Sequence, residues 1–124
     1  MDKVVHFEIP VEDMKRAEEF YSSVFNWEMH SVPEMKYIII HTVKTDEKGM
    51  PNECGAINGG MMKRNESVKS PVITINVENI NESLDKIKKS GGRIVLEPFK
   101  VGEIGMAAYF EDPERNVLGL WQNL

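Results

Sequence analysis

The stretch HFEIPVEDMKRAEEFY, residues 6–21, contains two local patterns that together predict the fold. In its first part Phe7, Ile9 and Val11 alternate with polar residues or proline, which is typical of a strand with one buried face. Asp13 then follows as a good helix N-cap, because its carboxylate can accept hydrogen bonds from the free amides of a first turn. The stretch therefore predicts a strand that leads directly into a helix.

The predicted helix is amphipathic, since apolar residues recur at intervals of three and four. This stripe is expected to pack under a sheet and consists of Met14, Ala17, Phe20, Tyr21, Val24 and Phe25.

The same pattern returns 66 positions later in VITINVENI, residues 72–80. Asn79 and Glu82 resemble a capping box, and an apolar stripe continues to Ile87 before Gly91 and Gly92 supply a stop. Strand signals follow each predicted helix, at 26–30, 36–43 and 54–62 and again at 93–98, 106–111 and 117–122. The chain therefore contains a weak internal repeat, each half reading β-α-β-β-β.

The repeat predicts an α+β fold built from paired βαβββ modules. We expect one domain over residues 1–124, with module 1 at about 1–63, a polar linker at about 64–70 and module 2 at about 71–124. Four short strands and one helix form too small a core to be stable alone. Two modules must therefore pair, within one chain or between two chains.

Composition excludes several classes of function. A net charge of −5 without a basic cluster argues against nucleic-acid binding. No apolar run reaches the roughly 18–20 residues that span a bilayer, and MDKVVHFEIP lacks the pattern of a signal peptide, so a cytoplasmic location without membrane contact is expected. Cys54 is the single cysteine, which excludes an intrachain disulfide and a thiolate zinc site. We expect it to be a small buried side chain.

Strand alternation also assigns the two faces of the predicted sheets. The more apolar set of each strand should pack under a helix, including Ile73, Ile75 and Val77 in the fifth strand. The mixed set should line the open, concave side, where a small molecule can bind.

Three segments resemble the glyoxalase, bleomycin-resistance and extradiol-dioxygenase group, the vicinal oxygen chelate (VOC) superfamily. They are HFEIPVEDMKRAEEFYSSVFNW, GGRIVLEPF and AAYFEDPERNVLGLWQ. The last is the most specific, although Arg115 stands where glycine is usual, and we expect Asn116 to tolerate the left-handed conformation of its turn. The resemblance implies a curved, partly open sheet around a cup (the glyoxalase/bleomycin resistance fold) and assembly as a homodimer.

Enzymes of that superfamily bind a divalent metal through His and Glu side chains on the first, fourth, fifth and eighth strands. His6 matches the first position, but Val72 and Gly119 stand at the fifth- and eighth-strand positions. No carboxylate or imidazole lies within 56–60, where the fourth ligand would be. We therefore expect no metal and no other cofactor. Other donors exist (His30, His41, Glu8 and Glu53), and an unorthodox site that combines His6 with Glu8 stays open, but it needs a third ligand from elsewhere.

The resemblance and the faces together predict a VOC-superfamily, glyoxalase-like protein that binds a small organic molecule in its cup. The candidate ligand-binding residues are His6, Glu8, Thr74, Asn76, Gly119 and Trp121. One alternative is a lyase or isomerase related to lactoylglutathione lyase, with His6 and Glu8 as catalytic acid and base. Another is a resistance-type protein that sequesters a cationic drug without changing it.

Overall fold

The computed structural model describes all residues from Met1 to Leu124 and contains eight strands and two α-helices. The strands are β1 (Lys3–Val11), β2 (Glu28–Val32), β3 (Tyr37–His41), β4 (Asn58–Lys63), β5 (Val72–Asn76), β6 (Arg93–Val101), β7 (Gly105–Glu111) and β8 (Val117–Asn123). The helices are α1 (Met14–Phe25) and α2 (Ile80–Lys89), and a 3-10 turn at Pro33–Met35 joins β2 to β3. The predicted α+β class and the repeated β-α-β-β-β order are confirmed. Neither helix is long and apolar enough to cross a membrane.

Contacts divide the chain into two compact units. The first consists of His6–Pro71, and the second of Met1–Val5 together with Val72–Leu124. Strands in the first unit follow the order β2-β3-β4-β1, and those in the second follow β5-β8-β7-β6. In both units the first and last strands of the module run parallel, whereas the other pairs are antiparallel. The weak sequence repeat thus corresponds to a repeated topology.

Both helices begin at the predicted caps. The Asp13 carboxylate accepts a hydrogen bond from the backbone N–H of Arg16 at 3.0 Å. The Asn79 side chain accepts from the backbone N–H groups of Asn81 and Glu82, each at 3.1 Å. These contacts satisfy amides that have no partner inside the helix.

The apolar stripe of α1 packs only in part. Three of its six residues contact the core of the first unit, namely Met14, Ala17 and Tyr21. The other three are more than half exposed: Phe20 (53%), Val24 (55%) and Phe25 (54%). The stripe was expected to need a partner surface, and the core of this unit supplies one for only half of its residues. The six positions cover a wider arc than the stripe of roughly 100° that a helix presents to one core.

The residues that alternation predicted to face the helices do pack on that side, with one exception. In the first unit Phe7, Ile9 and Val11 of β1 join a core that α1 covers. In the second, Ile75 and Val77 of β5 pack with residues of α2. Ile73, expected on the same side, is 47% exposed.

The turn between β7 and β8 differs from the expected one. Arg115 adopts the left-handed conformation with φ +67°, whereas Asn116 was expected to take it. The Asp112 carboxylate explains the difference, because it accepts from the backbone N–H and from the side-chain amide of Asn116, at 2.9 and 3.0 Å. These bonds hold Asn116 in place, so the preceding residue makes the turn. They also lower the pKa of Asp112.

The segment before β4 is a loop rather than a strand. β4 begins at Asn58 and not at Cys54, and Gly55 turns the chain with φ +85°. Cys54 is exposed, so the expectation of a buried cysteine is wrong.

Candidate functional site

His6 and Glu8 lie on the face of β1 that points away from α1. The residues between and beside them, Phe7 and Ile9, pack into the core that α1 covers. In the parallel pairing with β4, His6 lies opposite Asn58 and Glu8 lies opposite Gly60. Glu8 is only 7% exposed. A carboxyl group this far from water requires hydrogen-bond partners from the protein.

Tyr37 of β3 supplies such a partner, and it was not among the residues predicted from sequence. Its hydroxyl lies 2.9 Å from His6 Nε2 and 2.9 Å from Glu8 Oε2. To reach β1 the side chain crosses β4 above Gly60, where an added Cβ would collide with the phenol ring and its oxygen. Gly60 is thus the gap through which a residue of β3 reaches two residues of β1.

The direction of the hydrogen bonds follows from the number of available protons. The single hydroxyl proton of Tyr37 is donated to Glu8 Oε2. The contact with His6 then requires the imidazole Nε2–H to donate to the tyrosine oxygen. In a neutral imidazole this tautomer leaves Nδ1 as an acceptor. The three side chains therefore form a directed chain, from His6 through Tyr37 to Glu8.

Burial keeps the imidazole of His6 neutral. Removal from water lowers the pKa of His6 from its ordinary value of 6.5, and the Glu8 carboxylate partly opposes this effect. The neutral form can accept a proton or a hydrogen bond at Nδ1 at neutral pH.

Asn58 adds an unpaired polar group on the same face as His6. Its Oδ1 accepts from the backbone N–H of Thr42 at 2.9 Å, which fixes the orientation of the amide. Its Nδ2 is buried and has no hydrogen-bond partner. Because a buried donor without a partner costs about 1–3 kcal/mol, an acceptor oxygen at this position would be favourable.

The remaining predicted site residues lie in the second unit, on the sheet face away from α2. Thr74 is opposite Gly119, and Asn76 is opposite Trp121. Gly119 leaves little open space, since a Cβ there would lie 2.8 Å from the buried Thr74 hydroxyl. Asn76 Nδ2 donates to the Trp121 carbonyl at 3.0 Å, which orders the asparagine side chain.

Trp121 is held at both ends of its side chain. Its indole Nε1–H donates to Asn123 Oδ1 at 2.8 Å, and the ring lies against Gly105, where a Cβ would collide with it. The ring is therefore ordered before any ligand binds, which is the property expected of a rigid stacking wall.

The donor set does not fit the metal centre of the superfamily's enzymes. Val72 is buried and apolar, and Gly119 offers no side-chain atom. In the first unit the residues beside His6 and Glu8 on β4 are Asn58 and Gly60, neither of which is a carboxylate or an imidazole. One conventional ligand, His6, remains, and its Nε2 is engaged by Tyr37.

Tyr37 and Asn58 could have been found from sequence only in combination with register. Alternation along β3 places Tyr37 on the open face of the sheet, but no local sequence pattern shows that its side chain reaches across a neighbouring strand. Gly60, a glycine inside a strand, was the signal, since such a glycine often marks a close approach of another group.

Comparison with known proteins finds similarity over most of the chain. Residues 3–120 match the family model described as the Glyoxalase/Bleomycin resistance protein/Dioxygenase superfamily. A Mycobacterium bovis protein named "Putative glyoxylase CFP32" is 25% identical over 112 residues, which is 89% of this chain and 41% of that protein. The chain thus spans less than half of that relative. A "Glyoxylase-like domain-containing protein" of Didymella fabae is 27% identical over 111 residues, covering 88% of this chain and 84% of that one.

Solved structures share the fold at low identity. A variant of Streptomyces coelicolor methylmalonyl-CoA epimerase in complex with 2-nitronate-propionyl-CoA has a TM-score of 0.67 at 14% identity, covering 98% of this chain and 96% of that one. A hypothetical protein from Bacillus halodurans has a TM-score of 0.65 at 16% identity, covering 99% and 95%. At these identities the likeness shows the fold alone.

Proposed function

The chain belongs to the Glyoxalase/Bleomycin resistance protein/Dioxygenase superfamily, and we propose that it binds a small organic molecule on its open sheet faces without the superfamily's full metal set. The observation that carries this proposal is the Tyr37 hydroxyl, held 2.9 Å from both His6 and Glu8 on the face away from α1. A few ordered polar groups of this kind are what orient the ligand in most small-molecule sites.

The first unit offers complementary groups for a ligand that carries oxygen atoms. Asn58 Nδ2 is a donor without a partner, and His6 Nδ1 is an acceptor in the tautomer that the Tyr37 contact requires. A carbonyl or carboxyl oxygen of the ligand would accept a hydrogen bond from Asn58 Nδ2. A hydroxyl or N–H group of the ligand would donate one to His6 Nδ1. On the open face of the second unit, taken by itself, we propose Thr74, Asn76, Gly119 and Trp121 as ligand contacts.

A second candidate is proton transfer next to a carbonyl, in which Glu8 takes or returns the proton. The observation in its favour is the hydrogen bond from Tyr37, which orients one oxygen of the buried Glu8 carboxyl group. His6 Nδ1, at the far end of the same chain, could accept a proton, and Asn58 Nδ2, the buried donor without a partner, would stabilise the oxygen on which negative charge develops. With this function the protein would be a lyase or an isomerase. The structurally similar methylmalonyl-CoA epimerase is, by its name, an isomerase.

Binding without reaction is the third candidate. A net charge of −5 is compatible with the sequestration of a cationic drug, for which the ordered ring of Trp121 would be a stacking surface.

One set of titrations tests these candidates. The probes are methylmalonyl-CoA, the hemithioacetal of methylglyoxal with glutathione, and bleomycin, each titrated into the protein by calorimetry. We expect one probe to bind saturably and the Tyr37→Phe variant to bind it at least about tenfold more weakly. Tyr21→Phe is the matched control, because Tyr21 lies on the helix side of the sheet. Equal affinity of wild type and Tyr37→Phe would overturn the proposed site.

Turnover is measured separately from binding. Incubation of the acyl probes in deuterated water, followed by proton NMR, reports exchange of the proton next to the carbonyl. Exchange that Glu8→Gln abolishes supports the lyase or isomerase candidate, whereas saturable binding without exchange supports the binding candidate.

We also propose that the protein forms a homodimer. Phe20, Val24 and Phe25 are each more than half exposed on α1, and burial of apolar surface is the main driving force of association. Light scattering after size exclusion tests this proposal. A mass that falls to that of one chain in Val24→Lys supports an interface at α1, and a monomeric wild type contradicts it.

A further inference from the structure

A second cluster of chemically active side chains lies on β2 and β3, outside the site of His6, Tyr37 and Glu8. Glu28 and His41 are directly opposite each other in the antiparallel pairing of these strands. His30 is two residues beyond Glu28, so all three side chains point to the same side. From this geometry we propose that Glu28, His30 and His41 bind a divalent transition-metal ion.

The distances within the cluster fit one ion. The ring centroids of His30 and His41 are 4.5 Å apart, and His30 Nε2 lies 3.8 Å from Glu28 Oε2. One donor atom from each of the three residues lies within 4.8 Å of the others. In a tetrahedral zinc site with bonds of about 2.0–2.2 Å, two donor atoms lie about 3.3–3.6 Å apart. The cluster must therefore contract by at most about 1.5 Å to coordinate a metal.

This contraction requires only side-chain rotation, because two of the three side chains are more than half exposed. The side chains of His30 and Glu28 are 52% and 59% exposed. Their strands are fixed by continuous pairing from Glu28–His41 to Val32–Tyr37, so the backbone holds the donors in place while the side chains adjust.

The donor types select the class of ion. Two imidazole nitrogens and one carboxylate oxygen suit Zn²⁺, Ni²⁺, Co²⁺ or Fe²⁺, whereas Mg²⁺ and Ca²⁺ prefer oxygen ligands alone. Three protein ligands also leave positions for water or a substrate oxygen, which is the pattern of catalytic rather than structural sites.

The charge state of His41 is compatible with metal binding. Burial lowers the pKa of His41, and the neighbouring His30 lowers it further, while Glu28 opposes both effects. A neutral imidazole is the form that coordinates a metal. The cluster is distinct from the conventional metal position of the superfamily, because none of its residues lies on β1, β4, β5 or β8.

Calorimetry with Zn²⁺ tests the proposal directly. The protein is used without an affinity tag and after treatment with a chelator, and Zn²⁺ is titrated into the wild type and four variants. We expect one ion per chain, with affinity at least about tenfold weaker in Glu28→Gln, His30→Asn and His41→Asn. His6→Asn is the matched control, since it removes a histidine from another strand on the same sheet face, and its affinity should equal that of the wild type.

Three results would overturn the proposal. They are the absence of saturable Zn²⁺ binding by the wild type, unchanged affinity in His30→Asn, and a loss that appears in His6→Asn instead. Binding of Co²⁺ gives an independent readout, because its visible absorption reports the coordination. A Co²⁺ spectrum unaffected by His41→Asn would also contradict the assignment, and Mg²⁺ should give no heat of binding.

Discussion

The phenol ring of Tyr37 occupies the space above Gly60 that a side chain at this position would fill. Tyr37 belongs to β3 and its two hydrogen-bond partners to β1, so the contact depends on β4 having no side chain between them. A glycine in the interior of a strand weakens the strand, and here it opens the path for the polar bridge.

Removal of the Tyr37 hydroxyl should destabilise the first unit. Tyr37→Phe takes one hydrogen-bond donor from the buried Glu8 carboxyl group, which should lower the free energy of unfolding by about 1–3 kcal/mol. Urea denaturation measures this difference. Tyr21→Phe, on the opposite side of the sheet, should change the free energy by less than about 0.5 kcal/mol. Equal effects of the two substitutions would contradict the importance of the bridge.

A methyl group at position 60 should displace Tyr37. Gly60→Ala is expected to lower the free energy of unfolding by about 1–3 kcal/mol, because the ring must leave its place between the strands. In a Tyr37→Ala background the same substitution meets no ring and should cost much less. A double-mutant cycle measured by urea denaturation should therefore show a coupling of about 0.5–3 kcal/mol. Additive effects would show that Gly60 and Tyr37 act independently.

Acidification should destabilise the protein through His6. Burial lowers the pKa of His6 in the folded state below its ordinary value of 6.5, so the unfolded chain binds a proton more readily than the folded chain. The associated stability is fully present above a pH of about 6.5 and decreases as the pH falls below that value. His6→Asn should flatten the dependence of the melting temperature on pH between about 7.5 and 5.5.

The control for this prediction is the second histidine with a lowered pKa. His41 contributes a dependence of the same sign, so some slope should remain in His6→Asn and decrease further when His41→Asn is added. A slope identical in wild type and His6→Asn would show that His6 does not titrate differently in the folded state.

Arg115→Gly should stabilise the turn between β7 and β8. Arg115 has φ +67°, a conformation that costs a residue with a Cβ about 1–2 kcal/mol. Glycine adopts it freely but loses more backbone entropy on folding, which offsets about 0.5–1 kcal/mol of the gain. The expected net increase in the free energy of unfolding is about 0.5–1 kcal/mol. Arg115→Ala retains the Cβ and should give no such gain, and a gain in both variants would point to the arginine side chain instead.

Local patterns predicted the elements well because they depend on neighbouring residues. Asp13 and Asn79 were identified as caps from their positions before apolar runs, and both accept the expected backbone hydrogen bonds. The α1 stripe was predicted less well, since the spacing of Phe20 and Val24 shows an apolar helix face but not how much of it a sheet covers.

The candidate site depended on contacts between distant parts of the chain. His6 and Glu8 could be placed on one strand face by alternation alone, and this placement agrees with the packing of Phe7 and Ile9. Neither Tyr37 nor Asn58 was identified as a site residue. Alternation shows which face of the sheet a residue lies on, but it does not show which residues of the neighbouring strands lie beside it. The same holds for His30 and His41, which were visible as donors but whose proximity follows from the pairing of β2 with β3.

The amino-acid sequence by itself determined the repeated βαβββ plan, the helix caps and the superfamily, since periodicity, caps and turn motifs act over a few residues. Only the tertiary structure decided which side chains meet. Strand pairing brought Tyr37 over Gly60 to His6 and Glu8, and it brought His41 beside Glu28. The physical reason is that a change of one residue in register would move these side chains to the other face of the sheet, and register is set by the packing of the whole unit.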